Sequence, residues 1–475
     1  MNFTSLEFSI FFAIFFVIYW FVVNNNLKNQ NILILVASYI FYGWWDWRFL
    51  SLIFISSLVD FFIGKFLMRT DDPIKRKRLF YISLGVNLGF LGFFKYFNFF
   101  IDTFKTALHI VHIPEHFSTL DIILPIGISF YTLQTLSYTF DVYDRKIKAT
   151  DDFVSFFAYV SFFPQLVAGP IERAGQLLPQ FYKKRTFSYD KAADGLRQVV
   201  WGLFKKMVIA DNCAPYAGKI IAHSIDYSAS SLLLAIAMGT FQLYCDFSGY
   251  SDIAIGTARI LGFDLMKNFN FPFFSRNMAE FWQKWHISLI TWFRDYVIKR
   301  LKGFSKYKLA RNIFVIFLIT GFWHGANWTF IFWGFLHALL FLPLIFIKRK
   351  RYRGVTAKGK LFPSFKELFL MIRTFYIFGT IGIFFMSTSI HQGVRFIKNM
   401  FSFSIFEFPV LPPIEACLAI IFLLIVEWLQ REKEHGLELK GLKIPGIIRW
   451  TFYVSLVFVI LTFSGRESDF VYFQF

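Results

Sequence analysis

The sequence predicts an all-α protein that crosses a membrane many times, and three observations support this fold class. Of its 475 residues, 56% are hydrophobic and 22% are aromatic, whereas an average soluble domain has about 45–50% apolar residues with glycine included. The apolar residues form long runs, and short basic loops separate many of these runs. A composition and pattern of this kind indicate a polytopic membrane protein.

Apolar segments of nearly the length of a membrane-spanning helix follow one another along the chain. A helix needs roughly 20 residues to cross a hydrocarbon core about 30 Å thick. In chain order the candidate segments are 7–23, 31–45, 48–67, 79–101, 122–140, 153–170, 196–211, 230–248, 312–347, 365–386, 413–429 and 448–464. Because some are short and 312–347 has room for two limbs, we expect about 10 to 12 transmembrane or re-entrant helices. No linker or internal repeat separates them, which predicts one membrane-embedded domain over residues 1–475.

The formal net charge of +19 is concentrated in short loops between apolar segments. Examples are KRKR at 75–78 and KRKRYRG at 348–354, a distribution typical of loops on the cytoplasmic side of a membrane. Anionic lipid headgroups are therefore the expected partners of this charge. Nucleic acid is excluded as a partner, because no basic stripe is interleaved with stacking aromatic residues on a soluble domain.

No metal site is predicted from the histidines or cysteines. The three cysteines lie far apart, without a CxxC pattern. His109, His112 and His116 occur close together in the predicted loop 102–120, but their spacing is irregular and a proline intervenes. We interpret this stretch as a solvated surface loop.

Two further stretches depart from the pattern of simple spans. In 277–301, aromatic residues such as Trp282 and Trp285 recur at helical spacing between charged residues, which predicts an amphipathic helix at or just under the membrane interface. In 161–181, two prolines and a glycine interrupt an apolar run. Irregular backbone at membrane depth is tolerated only where protein or a water-filled cavity surrounds it. The second stretch is therefore predicted to line a cavity.

The segment 312–347 places His324 deep in the membrane. Basic residues flank both ends of the segment, so we expect the chain to enter and leave on the same side. His324 follows Arg311 by 13 residues, which is roughly 20 Å of helix and reaches the middle of a bilayer core. Gly321 and Gly325 permit a turn there. The sequence thus predicts an imidazole near the membrane midplane, beside a break in the backbone.

Ionisable groups inside a bilayer are costly and usually functional, although a lone histidine can equally serve in helix packing. Further polar residues in apolar surroundings favour a functional role here: His286, His337, Asp246, Asp295 and Asn327. A neutral imidazole with a pKa near 6.5 can take a proton from a hydroxyl nucleophile while a second polar group orients it. No GxSxG, HExxH or P-loop pattern is present, so the templates of soluble enzymes do not account for this set.

Several long stretches resemble the membrane-bound O-acyltransferase (MBOAT) family, in particular its bacterial alginate O-acetyltransferase branch. The matching stretches are LPIGISFYTLQTLSYTFDVY (124–143), FFPQLVAGPIERAGQLLPQF (162–181), YCDFSGYSDIAIGTARILGF (244–263), NFNFPFFSRNMAEFWQKWHISLITWFRDYV (268–297) and GFWHGANWTFIFWGFLHA (321–338). The resemblance implies a ring of tilted helices around a central tunnel, in which a cytoplasmic acyl donor meets an extracellular acceptor.

The resemblance also implies roles for individual residues. His324, in the W-H-G element, corresponds to the catalytic histidine of the family, and His286 corresponds to the second functional histidine of the branch. His324 would act as a general base or orient the accepting hydroxyl, and His286 would support donor binding or polarise the thioester carbonyl. The residues expected to support the site or line the tunnel are Asn327, Asp246, Arg294, Asp295 and His337. For His337 the alternative is a hydrogen bond across helices.

The function implied is O-acetylation of an exported polysaccharide such as alginate, in the bacterial inner membrane. The donor would be acetyl-coenzyme A or another acyl thioester, no cofactor would be bound, and a periplasmic partner protein would complete the transfer. The same fold would also serve D-alanyl transfer to teichoic acid or O-acetylation of peptidoglycan. A third hypothesis is a proton-coupled transporter, but the related halves common in transporters are absent from the sequence.

Overall fold

The computed structural model describes residues 1–113, 117–301, 305–346, 352, 354–439, 445–463 and 470–471. Within these ranges the chain forms helices and no strand, which confirms the predicted all-α class. The α-helices are α1 (Leu6–Val17), α2 (Leu27–Asp46), α3 (Leu50–Arg69), α4 (Pro73–Leu91), α5 (Phe97–Ile110), α6 (Ile128–Tyr143), α7 (Phe153–Ser161), α8 (Ala174–Leu177), α9 (Tyr189–Leu203), α10 (Asp211–Ala222), α11 (Ala229–Ile260), α12 (Met278–Trp282), α13 (Ile287–Phe293), α14 (Lys299–Leu301), α15 (Lys306–His324), α16 (Trp328–Phe346), α17 (Phe365–Met386), α18 (Ile390–Met400), α19 (Ile414–Leu429) and α20 (Gly446–Thr462).

Five helical stretches among the described residues are long and apolar enough to cross a membrane. They are Leu27–Arg69, Pro73–Ile110, Ala229–Ile260, Trp328–Phe346 and Phe365–Met386. Two shorter apolar helices, Leu6–Val22 and Gly446–Thr462, lie near the ends of the sequence. The predicted segments 122–140, 153–170 and 196–211 correspond to α6, α7 and α9, which have 16, 9 and 15 residues. These three belong to the short or re-entrant pieces that the prediction allowed.

The chain divides into two compact units, of which the second contains the candidate site. Unit 1 consists of residues 1–192 and 258–265, and unit 2 consists of residues 193–257 and 266–475. In unit 1, α6 packs against α3 and α4, while α7 packs against α2 and α3. In unit 2, α15 packs along α16, which also contacts α17. The single functional domain expected from the sequence stays a prediction.

The segment 312–347 forms a hairpin of two helices, as predicted. Ser305 begins α15, because its side chain accepts the backbone N–H of Lys308. Two glycines allow the helices to approach closely. A Cβ on Gly321 would lie 2.3 Å from the backbone oxygen of Phe330, and one on Gly334 would lie 2.2 Å from that of Phe317. Small residues at a membrane helix interface permit this kind of backbone contact.

The predicted amphipathic helix over 277–301 is wrong as a continuous element. The chain forms α12, a turn, α13, a π-helical turn at 294–298 and then α14. α12 ends at Trp282, and His286, the residue before α13, has φ 43° and ψ 50°, in the left-handed region. An L-residue in that region cannot continue a right-handed helix.

Two other predicted irregular stretches have different outcomes. The break in 161–181 is confirmed: α7 ends at Ser161, and buried turns follow until α8 begins at Ala174. The loop at 102–120 is wrong for its first half, because α5 continues to Ile110 and includes His109. The apolar residues at the start of this predicted loop extend α5 beyond the end expected from the sequence. His116 lies outside the described residues.

Candidate active site

The connection between α15 and α16 places His324 at a break in the backbone. α15 ends at His324, and the next residue, Gly325, is extended with φ −161° and ψ 151°. Asn327 begins α16, because its Oδ1 accepts the backbone N–H of Thr329 at 3.0 Å. A Cβ on Gly325 would lie 2.2 Å from Cε2 of Phe330, so a larger residue would displace that ring. The predicted break beside this histidine is confirmed.

Aromatic rings from three helices surround the imidazole of His324, which is only 4% exposed. The ring of Trp333, on α16, lies edge-on at 5.4 Å between centroids, and Phe385, on α17, lies at 5.2 Å. The adjacent Trp323 contributes a third ring at 5.1 Å. This packing restricts rotation of the imidazole and excludes bulk water, as a proton-transferring group requires for a fixed geometry.

Asn268 fixes both the backbone and the ring orientation of His286. The backbone oxygen of Asn268 accepts the N–H of Ile287 at 2.9 Å, which holds the left-handed turn in place. Asn268 Oδ1 accepts both the backbone N–H of Ser288 at 3.3 Å and the hydroxyl of Ser288 at 2.9 Å. The same oxygen lies 3.1 Å from His286 Nδ1. Since this oxygen can only accept, Nδ1 must carry the hydrogen, and Nε2 is the nitrogen able to take up a proton.

The two histidines named from the sequence come together in unit 2. The imidazole centroids of His286 and His324 are 6.3 Å apart. Phe247, on α11, packs edge-on against His286 at 4.6 Å. Burial lowers the pKa of His286 to about 3, so its imidazole is neutral at physiological pH. The His286 imidazole is therefore suited to accept a hydrogen bond rather than to supply positive charge.

His337 lies beside the same cluster, with Trp333 between it and His324. Its ring centroid is 4.7 Å from that of Trp333 and 5.0 Å from that of Trp282. Phe317 and Phe378 complete the enclosure at 6.0 Å and 5.8 Å. His337 therefore shares the ring of Trp333 with His324, and its supporting role stays a prediction.

Asp246 belongs to a neighbouring cluster of buried charges. Its Oδ1 lies 2.7 Å from Lys206 Nζ, and that ammonium is also 2.9 Å from Asp211 Oδ1. Asp246 Oδ2 accepts the backbone N–H of Val471 at 2.8 Å. The residue after Asp246 is Phe247, which contacts His286. Asp246 therefore connects with the imidazole cluster through the backbone of α11.

Arg294 and Asp295 form an exposed ion pair with a third charged residue. Arg294 Nε lies 3.1 Å from Asp295 Oδ1, and Lys299 Nζ lies 3.0 Å from the same oxygen. The Arg294 side chain is 59% exposed. This is the geometry of a surface pair and not of a buried pair that orients a catalytic group, so their predicted supporting role gains nothing from the structure.

Sequence reasoning missed the residues that hold the histidines in position. Asn268, Trp333 and Phe385 each contact one of the two imidazoles, but none was singled out. Asn268 lies 18 residues before His286, beyond the range of helical periodicity. Asn268 and Trp333 do fall inside quoted family stretches, which is the one signal that could have identified them.

Comparison with known proteins identifies the family. The sequence profile of the membrane-bound O-acyltransferase family matches residues 147–360, which include both histidines. The chain is 38% identical over 379 residues to the probable alginate O-acetylase AlgI of Pseudomonas putida, covering 79% of this chain and 76% of the relative. This chain belongs to the membrane-bound O-acyltransferase family. The prediction of an acyltransferase embedded in a membrane by several helices is thereby confirmed.

Further relatives carry names with different acceptors. The probable alginate O-acetylase AlgI of Pseudomonas aeruginosa is 37% identical over 383 residues, covering 80% of this chain and 71% of the relative. The peptidoglycan O-acetyltransferase of Helicobacter pylori is 33% identical over 412 residues, covering 80% and 76%. The names of these relatives share O-acetylation and differ in the acceptor, which is alginate or peptidoglycan.

Proposed function

We propose that this MBOAT protein takes an acetyl group from a thioester donor on the cytoplasmic side and passes it across the membrane for O-acetylation of an exported polysaccharide, such as alginate. The single observation that carries the proposal is the buried pair His286 and His324, 6.3 Å apart at a backbone break. The named relatives at 37–38% identity support acetyl as the group and a polysaccharide as the acceptor.

The reaction requires a base that removes the proton from the hydroxyl group that attacks the thioester. His324 takes the hydroxyl proton as the oxygen attacks the carbonyl carbon, the carbon–sulfur bond breaks, and the leaving thiolate receives the proton. A neutral imidazole can do this, and the aromatic enclosure around His324 keeps competing water away. The product is an oxygen ester, and the carrier is released as a free thiol.

His286 is better suited to accepting a hydrogen bond than to polarising a carbonyl. Its Nδ1–H is directed to Asn268, so a neutral ring has no hydrogen on Nε2 to donate. His286 therefore orients a donor or acceptor group that presents a hydrogen. Of the two roles implied by the resemblance, this geometry favours support of substrate binding.

Two polymers are candidates for the final acceptor of the acetyl group. Peptidoglycan is the second candidate, because the relative from Helicobacter pylori is a peptidoglycan O-acetyltransferase that matches over 80% of this chain. In both cases we propose that a periplasmic partner protein completes the transfer and that the enzyme lies in the bacterial inner membrane. The transporter hypothesis is dropped, because the chain belongs to an acyltransferase family.

The decisive test compares wild type with His324→Ala at equal amounts of membrane-inserted protein. Ester-linked acetyl on the extracted surface polysaccharide should fall by at least about 100-fold, the usual contribution of a general base. His223→Ala is the matched control, because His223 is exposed and ends α10 far along the chain from the site. Unchanged acetyl in His324→Ala would refute the mechanism. Acetyl lost from peptidoglycan instead would identify the second acceptor.

A further inference from the structure

Two residues near the end of the sequence, Phe470 and Val471, are held against α11. Phe470 is only 2% exposed, and its ring centroid lies 4.9 Å from that of Tyr250 and 6.2 Å from that of Phe247. The backbone N–H of Val471 donates to Oδ2 of Asp246 at 2.8 Å. A ring contact and a backbone hydrogen bond therefore fix this pair of residues on one stretch of α11.

The same stretch of α11 forms part of the surroundings of His286. Phe247 is buried and meets the imidazole edge-on at 4.6 Å between centroids. Phe247 also packs edge-on against Phe269 at 5.1 Å, and Phe269 lies nearly parallel to the imidazole at 6.5 Å. Phe247 therefore contacts both His286 and Phe470, and it connects the two.

The hydrogen bond from Val471 belongs to a cluster of buried charges. Oδ1 of Asp246 lies 2.7 Å from Lys206 Nζ, and Lys206 lies in the π-helical segment Phe204–Ala210. Such segments are rare and are frequent at functional sites. A carboxylate oxygen that loses a donor in apolar surroundings is costly. The bond from Val471 to Asp246 therefore opposes release of the pair from α11.

Two kinds of contact keep the ring of His286 in place, and Phe470 affects the second kind. The first is polar, since Asn268 Oδ1 lies 3.1 Å from Nδ1 of His286. The second is the packing of Phe247 against the imidazole. Protein interiors have few voids, so removal of the Phe470 ring would leave space into which Phe247 can shift. His286 would then lose part of the wall against which it packs.

General stabilisation of the fold is the alternative role of Phe470 and Val471. Loss of a buried phenylalanine ring lowers the free energy of unfolding wherever the ring lies. The two roles predict different effects on His286. Positioning predicts that this histidine becomes accessible in the folded protein, whereas general stabilisation predicts only a lower unfolding midpoint.

We propose that Phe470 and Val471 are positioning residues for acetyl transfer, which hold Phe247 against His286 so that the imidazole keeps one orientation towards the substrate. This inference rests on the proposed function, because that function assigns His286 to the support of substrate binding. Both residues act through α11 and not on the substrate itself.

The first measurement is the rate at which diethyl pyrocarbonate modifies His286 in the full-length protein in detergent micelles. Mass spectrometry of the peptide that contains His286 gives this rate. The reaction should be slow in wild type, because His286 is 1% exposed. Phe470→Ala should raise the rate by about 10-fold, since loss of a packed ring makes local opening easier. Phe470→Leu, which retains apolar bulk, should stay close to wild type.

A second pair of variants tests the hydrogen bond without changing the ring. Val471→Pro removes the backbone N–H that Asp246 accepts, so it should raise the modification rate of His286 as Phe470→Ala does. Val471→Ala is the matched control, because it keeps this N–H. Its modification rate should equal that of wild type.

Phe61→Ala controls for a general loss of stability. Phe61 is buried and packs against Phe153 and Phe156 in unit 1. This variant should lower the midpoint of thermal unfolding and leave the modification rate of His286 unchanged.

The second measurement is acetyl transfer per folded protein. Phe470→Ala and Val471→Pro should each lower the transfer rate by about 10-fold, within the range for a small displacement of a group that positions a substrate. Phe470→Leu and Val471→Ala should restore most of this loss. Recovery in these conservative variants ties the effect to the ring and to the N–H.

Four results would overturn the inference. They are an unchanged modification rate of His286 in Phe470→Ala and Val471→Pro, an equal rise in Phe61→Ala, full acetyl transfer despite an accessible His286, and increased acetyl transfer. In each of these cases wild type still transfers acetyl, so the proposed function stands. Absence of acetyl transfer in wild type would instead refute the proposed function, and the inference with it.

Discussion

Two clusters of polar side chains are buried among apolar residues, one around Asp60 in unit 1 and one around His324 in unit 2. In the first, every carboxylate oxygen has a partner. Asp60 Oδ1 accepts the hydroxyls of Ser83 and of Thr139, the latter at 3.0 Å, and Oδ2 accepts the amide of Asn87 at 2.9 Å. These partners come from α4 and α6, so the carboxylate of α3 ties three helices together.

The cluster in unit 2 is organised differently. Asn268 orients His286 and leaves its Nε2 as a hydrogen-bond acceptor, while His337, Trp282 and Thr320 bury polar atoms that no described residue satisfies. In a membrane, a satisfied network contributes to helix association, whereas an unsatisfied one costs free energy unless a substrate or water enters. The two clusters therefore differ in hydrogen-bond satisfaction, and from this difference we predict a structural role for Asp60 and a functional role for the residues around His324.

We expect the largest loss of acetyl transfer when Asn268 is replaced. Asn268→Ala removes the oxygen that orients His286, so we expect the rate of acetyl transfer to fall by about 100-fold, within the range for misplacing a group that positions a substrate. The measurement is acetyl transfer per folded protein, with folding checked by thermal unfolding in detergent. A loss below about threefold would show that the ring orientation of His286 does not matter for catalysis.

Asn268→Asp supplies the matched control for that prediction. The carboxylate keeps an accepting oxygen at the same place but favours the protonated imidazole, and so raises the pKa of His286 from about 3. Activity of the variant should approach wild type at high pH and fall as pH decreases through the new pKa, because the protonated ring can no longer accept. In wild type, titration of His286 should cause no fall in activity above about pH 5. Identical pH profiles for the two proteins would contradict the assignment.

An effect on stability instead of chemistry is expected at Asp60. Asp60→Ala leaves the hydrogen-bond donors of Ser83, Thr139 and Asn87 without their acceptor, which should lower the free energy of unfolding by about 2–4 kcal/mol. Activity per folded molecule should remain within about threefold of wild type. Denaturant unfolding in micelles, combined with acetyl transfer normalised to folded protein, measures both quantities.

Asp60→Asn distinguishes hydrogen bonding from charge in the same network. An amide can accept from Asn87 and donate to the hydroxyls of Ser83 and Thr139, which rotate to accept. We therefore expect less than half the destabilisation of the alanine variant. If Asp60→Asn abolished transfer in stably folded protein, the carboxylate would have a chemical role and the contrast between the clusters would fail.

The sequence predicted the local features of the His324 cluster, but not the contacts between distant segments. The hairpin at 312–347 and the break beside His324 follow from local signals, namely basic flanks, length and glycines. The break at His286 was missed because the aromatic spacing continues through it and no glycine or proline marks a left-handed residue. The depth of His324 could be calculated from helix rise, but its distance from His286 could not, since the 37 residues between them do not determine how the two segments pack.

The same limit explains why the sequence did not distinguish Asp246 from Asp295. Asp246 and Asp295 look alike in sequence, as carboxylates beside aromatic residues. In the structure, Asp246 is 1% exposed and pairs with buried Lys206, while Asp295 pairs with exposed Arg294 and Lys299. Which face of a helix meets a neighbour is decided by packing between distant segments, and sequence spacing does not determine it.

We expect the smallest loss of acetyl transfer when a residue of the exposed Arg294–Asp295 pair is replaced. Arg294→Ala removes a charge that is largely hydrated and paired at the surface, where ion pairs contribute little to stability. We expect acetyl transfer within about twofold of wild type and an unchanged unfolding midpoint. Both are measured in the same assays as the Asn268 variants. A loss of more than 10-fold in folded protein would mean that exposed charge contacts substrate or partner, and that satisfaction of hydrogen bonds is not a sufficient guide to function in this enzyme.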